Sequence, residues 1–206
     1  MKVLVINGSP NEHGCTYTAL AEVAETLKKH EIETEFVYLG KQPVAGCIAC
    51  RNCRNTGTCA FSDKVNEVGA KLDRYDGILV GSPVYYAGPS GQVCSFLDRL
   101  FFSYGSKLAG KPAACVVSCR RGGASAAFDR LNKYFTINNM PVVPSQYWNQ
   151  VHGNTPQEVR QDAEGLQTMR TLGENMAWLL TCIKAGKAAG VAAPVYEEKI
   201  ATSFIR

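Results

Sequence analysis

Short, unbroken apolar runs that stop at glycine, serine or asparagine are what most constrain this chain. Val3-Leu4-Val5-Ile6 ends at Asn7-Gly8, Ile78-Leu79-Val80 ends at Gly81, and the run from Ala113 to Val117 ends at Ser118. A strand with one wet face alternates apolar and polar residues. An unbroken apolar run belongs to a strand covered on both faces. Between these runs the spacing becomes helical. Leu20, Val23, Ala24 and Leu27 share one face of a helix within 16–30. Val93, Phe96, Leu97, Leu100 and Phe101 share another, with Ser90 placed to cap it. Phe36 to Leu39 reads as a second strand, 64–72 as a short helix and 124–135 as a longer one. Val142-Val143 lies between Pro141 and Pro144 and reads as the start of a fifth strand at a sheet edge. Thr155-Pro156-Gln157-Glu158 has the form of a helix start with a capping box. Apolar spacing then runs from Val159 to Ile183, which predicts one helix to Lys184, about 45 Å long at 1.5 Å per residue.

Five strands alternating with helices predict an α/β domain over residues 1–186, with a parallel five-stranded sheet and helices on both faces. Residues 187–206 have no period and read as a C-terminal arm placed to pack on a partner subunit. The 206 residues, 46% hydrophobic and 19% charged, fit one such domain. A net charge of +4 with no long basic run argues against a nucleic-acid partner. No apolar run is long enough for a signal segment or a bilayer span, so no membrane role and a cytoplasmic location are expected. Thiols stay reduced there, and nine cysteines then point to metal or redox chemistry rather than a disulfide framework.

Sheets of this kind bind ligands beyond the carboxyl ends of their strands. Three loops lie there. The first, Asn7 to Thr16, joins a buried strand to a helix start. Ser9, Asn11 and Thr16 with the free amides of the helix start make a cradle suited to phosphate, or else an ordinary polar loop. It matches neither G-x-G-x-x-G nor a P-loop. The second, Gly81 to Ser90, sets Tyr85 and Tyr86 between Pro83 and Pro89, an aromatic wall for a flat ring. The third, Ser118 to Gly123, carries glycines that let its amides approach the edge of a heterocycle. Together they describe a mononucleotide site.

The first loop, "GSPVYYAGPSGQVCSFLDRLF" at 81–101 and "YWNQVHGNTPQEVRQDAEGLQTMRTLGENMAWLL" at 147–180 resemble the flavodoxin-like NAD(P)H-dependent FMN reductases. The resemblance implies a flavodoxin-like sheet of order 2-1-3-4-5, assembled as homodimers or homotetramers. It implies FMN as cofactor and NAD(P)H as co-substrate, with electrons passing to a flavin, a quinone or another small acceptor. It places the FMN phosphate at Ser9, Asn11, Gly14, Cys15 and Thr16, with Cys15 where asparagine is more usual. It places the ring against Pro83, Val84, Tyr85, Tyr86 and Ala87, and against Cys119, Arg120, Arg121, Gly122 and Gly123. Hydride transfer between two cofactor rings needs no protein acid or base, so no catalytic residue is named.

Cys47, Cys50, Cys53 and Cys59 form a C-x2-C-x2-C-x5-C run. Four thiolates this close suit one tetrahedral ion such as zinc, or an iron–sulfur cluster, whose ligands favour compact C-x2-C-x2-C spacing. The run also resembles that of the iron–sulfur flavoproteins. This implies a 4Fe–4S cluster after the second strand, electron exchange with FMN, and a ferredoxin-like carrier as donor. Two other readings stay open: a lid over the flavin site without a cluster, and a zinc- or redox-sensing binding protein. Cys94, Cys115 and Cys182 fall where packing explains them, and His152 reads as structural.

Overall fold

The computed structural model describes residues 1–198, 200–202 and 204. Lys199, Ser203, Ile205 and Arg206, at the end of the expected C-terminal arm, lie outside the described residues.

The apolar runs become the central strands. β1 (Lys2–Asn7) pairs in parallel with β2 (Glu33–Tyr38) on one side and β3 (Gly77–Tyr85) on the other. β3 pairs with β5 (Ala113–Cys119), and β5 with β6 (Gln150–His152). The order β2-β1-β3-β5-β6 is the expected flavodoxin-like arrangement. One short addition, β4 (Gly88–Pro89), folds back on β3 as an antiparallel hairpin.

Alternate residues of each strand serve opposite layers. Val3, Val5, Leu79, Ala114 and Val116 pack under α1 (Cys15–Lys29) and α7 (Ala163–Ala188). Leu4, Ile6, Ile78, Val80, Cys115 and Val117 pack under α3 (Lys64–Gly69), α4 (Gly91–Tyr104) and α5 (Ala124–Thr136). This double covering is why the runs show no polar alternation. A five-residue helix, α2 (Asn52–Thr56), forms inside the cysteine segment.

Two expectations change. Val142 makes one bridge to Ala113, and the continuous pairing comes at Gln150–His152 instead. Pro144 has no N–H to give a ladder, and the chain bulges before Asn149 accepts from Val117 N at 2.9 Å. The long helix is also broken. α6 (Pro156–Val159) stops after one turn, and α7 begins afresh with Asp162 as its cap. Thr155 caps α6 as expected, but Glu158 accepts from Asn154 N rather than from the capping residue. α7 spans 26 residues, about 39 Å. It runs unbroken through Gly173, where a β-carbon would lie 2.6 Å from Thr26 Cβ of α1. No helix among the described residues is long and apolar enough to cross a membrane.

Candidate functional site

The β1–α1 loop is shaped by its own polar groups. Asn7 Oδ1 accepts from Ser9 N at 3.1 Å, and Asn7 Nδ2 donates to Glu12 O at 2.9 Å. Ser9 Oγ accepts from Asn11 N, and Tyr38 of β2 donates to Pro10 O at 2.7 Å. Gly8 N donates to Gly81 O, which fastens this loop to the end of β3. Thr16, on the first turn of α1, is buried and bonded to Ser118 at the end of β5, 2.8 Å between hydroxyls. Ser118 was missed in the sequence because nothing local links it to Thr16.

Helix starts carry unsatisfied N–H groups and partial positive charge. Most helices here satisfy them internally: Asp63 caps α3, Ser90 α4, Thr155 α6 and Asp162 α7. α1 begins at Gly14 and α5 at Gly123, each with no side-chain cap. α2, inside the cysteine segment, begins without one too. The uncapped ends of α1 and α5 thus belong to the two loops expected to meet phosphate and ring. The donor set fits an FMN phosphate at the first and the polar ring edge at the second.

The expected aromatic wall falls on the β3–β4 hairpin. Tyr86 and Ala87 occupy its two turn positions, both left-handed, with φ of 48° and 58°. Two left-handed residues define the tight hairpin turn usually given to asparagine and glycine. Tyr86 is fully exposed and Tyr85 about half. A bulky aromatic side chain is thus kept in solvent at a strained backbone position. Pro83 and Val84 are half-buried beneath it.

Two of the expected cofactor-binding residues turn their thiols to backbone carbonyls. The Cys15 thiol turns to Gly153 O at 3.7 Å, and the Cys119 thiol is buried against Arg121 O. Burial pushes both thiols above their ordinary pKa, so neither sets a negative charge beside the loops. Arg120, Arg121 and Gly122 are exposed. His152 is exposed, its ring 3.7 Å from Asp162, and Cys182 is exposed rather than packed.

The four cysteines of the 47–59 run line one cavity, walled by Ile48, Phe61 and Phe102. They do not converge on a point. Among the described residues, no three histidine, cysteine or acidic side chains are grouped to hold one metal ion. In number and chemistry the four thiols that line this cavity are the donor set that an iron–sulfur cluster, or a zinc ion, would take.

α4 ties this cavity to the flavin loops. At its start Ser90 donates to Gly8 O, and its amide donates to Ser82 Oγ. Two residues on, Gln92 donates to Gly40 O at 2.8 Å and Gln42 O at 3.1 Å. Further along, Arg99 donates to Ala45 O and to the Cys59 sulfur. Its one signal in the sequence is a lone cation among Phe96, Leu97, Leu100 and Phe101.

Comparison with known proteins agrees with this geometry. Residues 1–155 match the family described as NADPH-dependent FMN reductase. The chain belongs to that family. It is 34% identical over 194 residues to an iron–sulfur flavoprotein of Methanocaldococcus jannaschii, covering 89% of this chain and all of that one. It is 27% identical over 191 residues to an iron–sulfur flavoprotein of Methanosarcina thermophila, covering 91% and 99%. Among solved structures, RosB with a bound intermediate superposes with a TM-score of 0.72 at 15% identity, covering 100% of this chain and 94% of that one. An archaeal flavodoxin superposes at 0.61 and 15% identity, covering 88% and 99%, which supports the fold. Membership in the family makes this chain a flavin-dependent oxidoreductase.

Proposed function

We propose that the chain works as an iron–sulfur flavoprotein, with FMN on the strand-end loops and a 4Fe–4S cluster at Cys47, Cys50, Cys53 and Cys59. The observation that carries this is α4 itself. The helix fastens the flavin loops at Ser90 and the cysteine cavity at Arg99. These residues stand nine positions apart, about 14 Å along the axis at 1.5 Å per residue. Bound FMN supplies hydride and single-electron chemistry. The protein's part is to bind, orient and shield. The α1 amides and Ser9 hold the phosphate, Tyr85 and Tyr86 flank the ring, and the α5 amides meet its polar edge and stabilise charge there. A reduced ferredoxin-like carrier is the donor, and a small molecule the acceptor.

A second reading, reduction by NAD(P)H, has its own support. Arg120 and Arg121 are exposed beside the ring loop and join no ion pair among the described residues. A nicotinamide dinucleotide would offer phosphates to such cations. The exposed Val191, Val195 and Tyr196 of the C-terminal segment support assembly as a homodimer or homotetramer.

Anaerobic purification with FMN, iron and sulfide analysis tests the main reading, and stopped-flow reduction tests the donor. The reading expects iron and sulfide in cluster proportion beside FMN, and faster reduction by a ferredoxin than by NADPH. FMN retained without iron or sulfide would overturn it.

A further inference from the structure

The four cysteines are not equivalent. Cys47 and Cys50 are exposed, while Cys59 is fastened on every side. Its amide donates to Asn66 Oδ1 at 2.9 Å, and Asn66 Nδ2 returns a bond to Cys59 O at 2.9 Å. Tyr104 donates to the same Asn66 oxygen at 2.8 Å. The Cys59 sulfur accepts from Arg99 Nε at 3.2 Å. Arg99 is only 1% exposed, the largest fully buried side chain among the described residues. A buried cation is costly unless paired and hydrogen-bonded. Asp63 provides the pairing as a two-pronged fork, 2.7 and 2.8 Å from the terminal nitrogens. The Phe61 ring lies 4.7 Å from the guanidinium carbon.

A structural clamp alone would not need its charge aimed at sulfur. The fork to Asp63 and the bond to Ala45 O already anchor the loop. The third direction of the guanidinium, through Nε, goes to Cys59, the cysteine whose backbone is tied on both sides by Asn66. Hydrogen bonds and charge at ligand sulfurs set the potential of an iron–sulfur centre. Reduction adds one negative charge, and a fixed cation at a ligand sulfur favours that state. Asp63 opposes it from the far side of the same guanidinium.

We infer that the Asp63–Arg99 pair is a positioning unit for Cys59 that sets the reduction potential of the bound cluster, Arg99 raising it and Asp63 holding it down. This inference rests on the cluster reading. The test is a potentiometric titration of the anaerobic holoprotein, followed by the paramagnetic signal of the reduced cluster, for wild type, R99Q, R99K and D63N. Circular dichroism and iron content are measured beside it. R99Q is expected to shift the oxidised-to-reduced equilibrium at least tenfold toward oxidised, 59 mV for one electron. D63N is expected to shift it the opposite way, and R99K to fall between R99Q and wild type. Should R99Q lose its iron, R99K and D63N still decide the matter by their opposite signs. Shifts of the same sign, or none, in iron-replete variants would overturn the inference and leave the cluster standing. A wild-type protein that takes up no iron would overturn both.

Discussion

Gly123 lies directly against Ala87: a β-carbon built on Gly123 would come within 2.7 Å of the Ala87 α-carbon. The β5–α5 loop and the β3–β4 turn therefore meet at a point where no side chain fits. Gly123 also has φ of +88°, costly for any residue with a β-carbon. G123A should push the two ring-facing loops apart. FMN affinity should fall at least about tenfold, and the thermal midpoint should drop a few degrees for the ~1–2 kcal/mol of backbone strain. Flavin fluorescence titration and a melting curve check both.

Tyr86 separates binding from stability. Its φ of 48° suits glycine, and its side chain touches solvent rather than core. Y86G should leave the flavin-free protein as stable as wild type, or more stable by up to ~1 kcal/mol. The same variant should bind FMN about tenfold more weakly through loss of the aromatic wall. Y86F should keep the affinity, which calorimetric titration of the three proteins will show.

Tyr75 brings an alkaline dependence. Its ring is buried beside the Glu35 carboxylate, itself bridged to Lys2 at 2.6 Å. Burial, and then the hydrogen bond to Glu35, push the phenol up to about 12. The folded value exceeds the unfolded one, near 10, so the stabilisation is whole below pH ~10. It is lost as pH climbs through about 12. Unfolding free energies of wild type and Y75F, measured in denaturant across this range, should differ by a constant amount up to pH ~10 and converge above it.

Thiol labelling should rank the cysteines by burial. Cys115 is fully buried under α5, and burial drives its thiol far above the ordinary value. In iron-free protein at neutral pH, Cys47, Cys50 and Cys182 should react first. Cys115 should react only at the rate of global unfolding. Peptide mapping of a timed alkylation distinguishes these classes.

The strands were legible because burial on both faces leaves an unbroken apolar signature, and the candidate loops could be singled out because strand ends of such a sheet are where ligands go. What escaped was long-range or was masked by continuity. The spacing of Val159, Ala163 and Leu166 runs smoothly across the break between α6 and α7, and only the second cap, Asp162, reveals it. The fifth strand slid from Val142 to Val151 because proline chemistry interrupts pairing without ending it. The spacing of the four cysteines does not reveal what holds Cys59, which is bonded to Arg99 and Asn66, 40 and 7 positions away.

From Lys41 through Lys64 no residue is buried, so the sheet and its two helical layers close without that stretch. The cysteine segment is in effect a cassette plugged into a complete frame, and the plug is a single guanidinium. A descendant that discards the cassette would leave Arg99 without its carboxylate fork, its sulfur contact and its aromatic cover, and nothing would then hold an arginine at that position. In any sequenced lineage of this fold, the residue at that socket should therefore reveal whether the cassette is still in service.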